Sequence, residues 1–135
     1  LEDGTVVSFY KKAQLVVGEL YHRFRQEDER FDFCDGPRLT AFIDNVICAV
    51  CRKLGLIVVT DELKDAIESN QFLPSSSLEE VSLRAASMVA IERIVAALDG
   101  SLSPCELGNY FWGVLGKTPE FRKYTRHATR DTVFY

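Results

Sequence analysis

Few side chains in this sequence carry chemistry by type and spacing, and the clearest is Asp44, a lone acid in the otherwise apolar stretch 39–54. Buried acids are rare unless paired or functional. Asp44 therefore reads either as a site carboxylate or as part of a narrow polar face beside Asn45. Cys48-Ala49-Val50-Cys51 has the C-x-x-C spacing of a metal or redox pair. No second pair and no nearby histidine completes a zinc set, and cysteine in an apolar helical pattern behaves as a small hydrophobe. The pair reads as core, and no metal is expected. His127 with Arg130 could meet a phosphate, although an exposed tail histidine is the commoner arrangement. Trp112 reads as a core anchor before a base-stacking platform. Glu80 and Arg84, one turn apart, read as an i,i+4 pair contributing a few tenths of a kcal/mol. No Ser/His/Asp triad and no phosphate-cradling glycine loop is present.

The elements that must position these groups are helical. Phe9, Ala13, Val16, Val17, Leu20, Tyr21 and Phe24 recur at three- and four-residue steps, which predicts an amphipathic helix over about 6–26 with that stripe inward and Lys11, Lys12, Glu19, His22 and Arg23 mostly on the other side. Gly36-Pro37 marks a turn. Residues 39–54 are apolar over more than half a helical circumference, which predicts the central helix, stopped by Gly55. Leu56-Ile57-Val58-Val59 has no partner run and reads as a connector. Thr60 can cap a third helix with Asp61 and Glu62 in its first turn. Ser77 with Glu80 forms a capping box for a fourth helix, to about Leu98, with Val81, Ala85, Met88, Val89, Ile91, Ile94, Val95 and Leu98 inward and Gly100 as its stop. Ser103 with Glu106, and Pro104 between them, starts a fifth carrying Leu107, Tyr110, Phe111, Val114 and Leu115. Phe134-Tyr135 suggests a tail docked back on the body. About five helices without strand pairs give an all-α fold in a single domain, 1–135.

Composition bounds the partners. A net charge of −4 argues against direct nucleic-acid binding, which needs clustered cations. Arg122, Lys123, Arg126 and Arg130 read as a solvated tail. No run approaches the roughly 20 apolar residues of a membrane span, and no signal-peptide pattern is present. The reading is a soluble intracellular protein of unassigned compartment, cytoplasmic or organellar.

Several segments, in order, resemble the queuosine salvage family, the queuosine 5'-phosphate N-glycosylases. Tyr10-Lys11-Lys12-Ala13-Gln14-Leu15 is similar to that family's tyrosine-lysine-arginine-alanine-glutamine helix. Leu39-Thr40-Ala41-Phe42-Ile43-Asp44 is similar to its leucine-threonine-x-phenylalanine-alanine-aspartate run. Glu79 to Ala85, Ala90-Ile91-Glu92, Tyr110-Phe111-Trp112 and the ending His127, Thr129, Arg130, Phe134, Tyr135 continue the order. The resemblance covers nearly all of this chain and about the last two-fifths of a family member. It implies a helical-glycosylase-like fold and release of queuine from queuosine 5'-phosphate, for use in tRNA modification. Asp44 would be the catalytic carboxylate, with Phe42 and Tyr110 binding the nucleotide-derived substrate. Water is the second reactant and no cofactor is needed. The N-terminal half of the family fold would come from preceding chain or from a protein partner.

The chain departs from the family pattern at Asn45, Val46, Ile47 and Cys48 after the aspartate, at Val89, and at Gly108-Asn109, where the family has a second site aspartate and a tyrosine. Those departures define an alternative: a catalytically degenerate homologue serving as a structural subunit of a larger assembly.

Overall fold

Helix starts are set by short polar side chains that satisfy the free N–H groups of a first turn. Asp44, Thr60, Ser77, Ser103 and Thr118 each accept a backbone N–H from the helix that follows. The computed structural model describes residues 7–130 and 132. In chain order these form α1 (Lys11–Phe24), α2 (Asn45–Lys53), α3 (Asp61–Glu68), β1 (Phe72–Leu73), α4 (Leu78–Ala97), α5 (Pro104–Gly113), α6 (Pro119–Arg122) and β2 (Ala128–Thr129). Short 3₁₀ turns lie at Glu29–Phe31, Gly36–Arg38 and Leu115–Lys117. The expected docking of Phe134 and Tyr135 falls outside the described residues.

The fold is mostly helical, as expected, with differences that matter for the site. The predicted helix over 39–54 begins only at Asn45. Ala41, Phe42 and Ile43 are buried in non-helical chain that leads up to Asp44. A continuous apolar run does not distinguish buried helix from buried extended chain, and the capping bonds of Asp44 decide the boundary. β1 pairs in parallel with β2, Phe72 opposite Ala128 and Leu73 opposite Thr129. Two-residue strands are too short to leave a period in the sequence.

α2 packs against α4 and α5, which also pack on each other. Ile43, Ile47, Cys48, Val50 and Cys51 meet Ile67, Leu83, Ile91 and Phe111 in one core. Burial pushes the thiols of Cys48 and Cys51 up to about 12 and about 11, the environment of inert core thiols. α4 presents Glu80, Leu83, Arg84, Ser87 and Ile91 inward, and Val89 and Leu98 are exposed. Ser77 caps α4, but its own N–H donates to Pro74 O at 3.1 Å. The Glu80 carboxylate turns into the interior instead and accepts from Arg84 at 3.2 Å. The capping box at Ser103 and Glu106 is complete. Gly55 and Gly100, both at φ 70°, supply the left-handed residues that stop α2 and α4.

α1 meets the expected arrangement only in part. Lys12, Glu19, His22 and Arg23 are exposed, Tyr21 is buried, and Phe9, Leu20 and Phe24 are half-buried. The face turned to the body, however, is rotated toward Lys11, Gln14 and Gly18. Gly18 and Tyr21 are its buried residues, Val16 is 61% exposed, and Ala13 and Val17 are also exposed. The body side is a polar and small stripe at helical spacing: Lys11, Gln14, Gly18 and Tyr21. The Gln14 amide oxygen accepts from Thr40 N at 2.9 Å and Thr40 Oγ1 at 3.1 Å, and its nitrogen donates to Phe9 O at 3.0 Å. Gly18 permits close approach, since a Cβ there would stand 2.7 Å from Cζ of Phe42.

Candidate active site

The Asp44 carboxylate is fixed from two directions. Its Oδ1 accepts from Val46 N at 2.9 Å and Ile47 N at 3.0 Å, so the acid is the N-cap of α2 rather than a group inside a helix. Its Oδ2 faces Lys11 Nζ of α1 at 3.5 Å, in a pair whose side chains are 12% and 9% exposed. These contacts set the carboxylate's direction without closing it off. Asp44 remains on the wall of a cleft of about 460 Å³, together with Lys11, Leu15, Glu19, Phe42, Ile47, Asn109 and Trp112.

The lining suits an amphiphilic organic ligand: Phe42, Leu15, Ile47 and Trp112 supply apolar surface, and Asp44, Lys11 and Asn109 supply a few polar groups. Trp112 is not the core anchor its type suggested. It is 47% exposed at the cleft wall, with Lys117 Nζ 4.7 Å from the ring centroid. Of the three expected site residues, Asp44 and Phe42 come together, whereas Tyr110 is 49% exposed and outside this lining. Sequence reasoning missed Lys11, placed on the solvent side of α1, and Asn109, whose amide also donates to Cys105 Sγ at 3.8 Å. The spacing Lys11, Gln14, Gly18, Tyr21 was the available signal for Lys11.

A broader concavity of about 740 Å³ lies on the other side of Trp112, lined in part by Lys117, Arg122, Lys123, Tyr124 and Arg126. It excludes Asp44. Arg130 stacks on Phe72 at 3.8 Å from the ring centroid.

His127 is buried at 2% exposure, not an exposed tail residue, and Asn45 Nδ2 donates to its backbone oxygen at 3.3 Å. Burial, with Arg52 and Arg84 adding to it against the opposing Glu80, holds the imidazole down at about 4. The folded protein thus binds the proton less readily than the unfolded chain, with its ordinary value near 6.5. The stabilisation is complete above about pH 6.5 and is lost progressively as pH falls toward about 4, amounting to about 3 kcal/mol at most. Urea melts between pH 7 and 4 should show this decline, and His127→Gln should flatten it; equal slopes would refute the assignment.

Residues 2–135 match the queuosine salvage protein family, and the chain belongs to that family. Among curated relatives it is 38% identical over 136 residues to a queuosine 5'-phosphate N-glycosylase/hydrolase from Sphaerobacter thermophilus, covering 98% of this chain and 41% of the relative. Proteins of the same name from Dictyostelium discoideum and Nematostella vectensis are 32% and 31% identical, with 98% and 96% of this chain and 41% and 42% of the relatives covered. The chain spans about two-fifths of the length of the curated relatives it matches. No helix among the described residues is long and apolar enough to cross a membrane.

Proposed function

We propose that this chain carries the sugar-facing carboxylate of an N-glycosyl hydrolase acting on queuosine 5'-phosphate. The observation that carries the reading is Asp44, held by two backbone N–H groups and Lys11 on the wall of a largely apolar cleft. Hydrolysis breaks the bond from the sugar anomeric carbon to the base. Positive charge develops on the sugar ring, water supplies hydroxide to that carbon, and the proton balance goes to the departing base. A carboxylate beside the ring stabilises that charge or accepts the proton of the attacking water. Phe42 and Trp112 supply flat apolar surface for the base, and Lys11 brings positive charge to an anionic substrate. Tyr110, exposed and outside the cleft lining, takes no part in this reading. The reaction needs no cofactor.

The test is release of free queuine from queuosine 5'-phosphate by the protein as its cells assemble it, before and after Asp44→Asn. Asparagine caps a helix about as well as aspartate, so the variant keeps the start of α2 and removes the charge together with its ion pair to Lys11. Turnover is expected to fall at least about a hundredfold while the protein stays folded, with a lower melting temperature from the Lys11 charge that loses this carboxylate. Undiminished turnover in the variant sinks the role of Asp44.

One observation favours the second reading, a homologue that keeps the fold as a structural subunit without the chemistry. At Gly108, where the family pattern has an aspartate, a Cβ would stand 2.8 Å from Cβ of Ala41. The position has no room for a second site carboxylate. Absence of turnover by the whole native assembly would select this reading.

A further inference from the structure

Amphipathic helices of globular domains bury their apolar stripe and expose the polar one. α1 does so only in part, burying Tyr21 and half-burying Leu20 and Phe24 while leaving other apolar residues outside. It docks through Lys11, Gln14, Gly18 and Tyr21, and turns Ala13, Val16, Val17 and part of Leu20 away from the body. The polar docking is specific, since Gln14 alone makes two bonds across the contact, both with Thr40, and is itself held by a local bond to Phe9 O. The orientation is therefore set by side-chain bonding, and the apolar stripe is left as an ordered, continuous surface. A helix with one bonded polar face and one bare apolar face is built to lie between two bodies.

We propose that the outer face of α1, formed by Ala13, Val16, Val17 and Leu20, is an interface for the polypeptide equivalent to the rest of the family fold. Two observations choose that occupant. The curated relatives extend well beyond the matched part, which is only 41–42% of their length, so in them further chain is on hand to pack against this part. α1 is also a wall of the Asp44 cleft, through Lys11, Leu15 and Glu19. A body seated on Val16 and Leu20, each one residue along the helix from a cleft residue, stands beside the cleft mouth and can complete it. The inference rests on family membership and not on catalysis by Asp44.

Hydroxyl-radical footprinting compares the protein as its cells assemble it with the isolated 135-residue chain at equal concentration. Labelling of Val16, Val17 and Leu20 is expected to fall at least fivefold in the native assembly. Cross-links from Lys12, at the edge of this face, should reach polypeptide that aligns with the unmatched part of the relatives. Val16→Asp, at an exposed position, should leave the melting temperature of the isolated chain unchanged and abolish the protection. Equal labelling in both samples overturns the proposal. So does protection that grows with concentration in the isolated chain, which marks a second copy, or cross-links to a polypeptide unrelated to the family. Protection that survives Val16→Asp overturns it as well. None of these readouts depends on queuine release, so failure of the interface and failure of the proposed reaction are separate results.

Discussion

Glu80→Leu is expected to destabilise this protein by about 4 kcal/mol, a large part of the 5–15 kcal/mol that holds a domain folded. The pair is spaced i,i+4 on α4 and, on an exposed helix, would contribute a few tenths of a kcal/mol. Here the side chains of Arg84 and Glu80 are only 2% and 3% exposed, with Nη1 to Oε1 at 3.2 Å. The Arg84 guanidinium also lies 4.0 Å from the centroid of the Phe9 ring, which joins the segment before α1 to α4. Removing the carboxylate takes from a buried guanidinium the counter-charge that Glu80 supplies, and the cost is mainly electrostatic. Arg84→Met should be similarly damaging. The double variant Glu80→Leu/Arg84→Met should recover most of the loss, because it removes both charges and fills the space with apolar atoms. Urea denaturation of the four proteins measures the cycle. Single variants that lose less than about 1 kcal/mol, or a double variant that loses the sum of the two, would show that burial does not set the strength of this pair.

The same pair marks the boundary of what could be read from the sequence. Thr60, Ser77 and Ser103 were legible as caps because capping is local chemistry, decided within three residues. Gly55 and Gly100 were legible as stops for the same reason. The direction of the Glu80 carboxylate was not, since it depends on Arg84 and on the body packed over both. The exposure of Ala13, Val16 and Val17 on α1 was not legible either, because apolar spacing tells which residues share a face and not how much of that face meets the body. His127 and Trp112 exchanged their expected places, the histidine inside and the indole at a cleft wall, for equally non-local reasons. Within the candidate site, Asp44 and Phe42 were accessible through the resemblance of one contiguous run. Lys11, 33 residues from Asp44 in sequence, entered only once the chain was folded.

The Gly108→Asp variant, which introduces the aspartate that the sequence resemblance implies at this position, is expected to damage the protein by about 4 kcal/mol or more and to raise no turnover. Gly108 is buried on α5, and a Cβ there would meet Ala41 Cβ at 2.8 Å and Ala41 Cα at 3.2 Å. The second contact is backbone, so a side chain at 108 requires α5 and the 41–43 segment to move apart. The aspartate would add a carboxylate to a buried site with no designed partner. Gly108→Ala separates the two costs: it keeps the crowding, gains up to about 1 kcal/mol of helix propensity and adds no charge. It should lose only about 1–2 kcal/mol net. Ala41→Gly should relieve part of the damage in either background, because it removes the nearest atom and leaves the 3.2 Å contact. Thermal melts of the five proteins decide the matter. If Gly108→Asp folds with unchanged stability, α5 and the 41–43 segment are not tightly apposed, and an aspartate could be accommodated there. If it loses stability as expected, the departure at 108 is more than a missing side chain. The segment that delivers Phe42 and Asp44 is closed onto α5, and any reaction in this cleft must proceed without a carboxylate from position 108, with Asp44 and Glu19 as the acids of its lining.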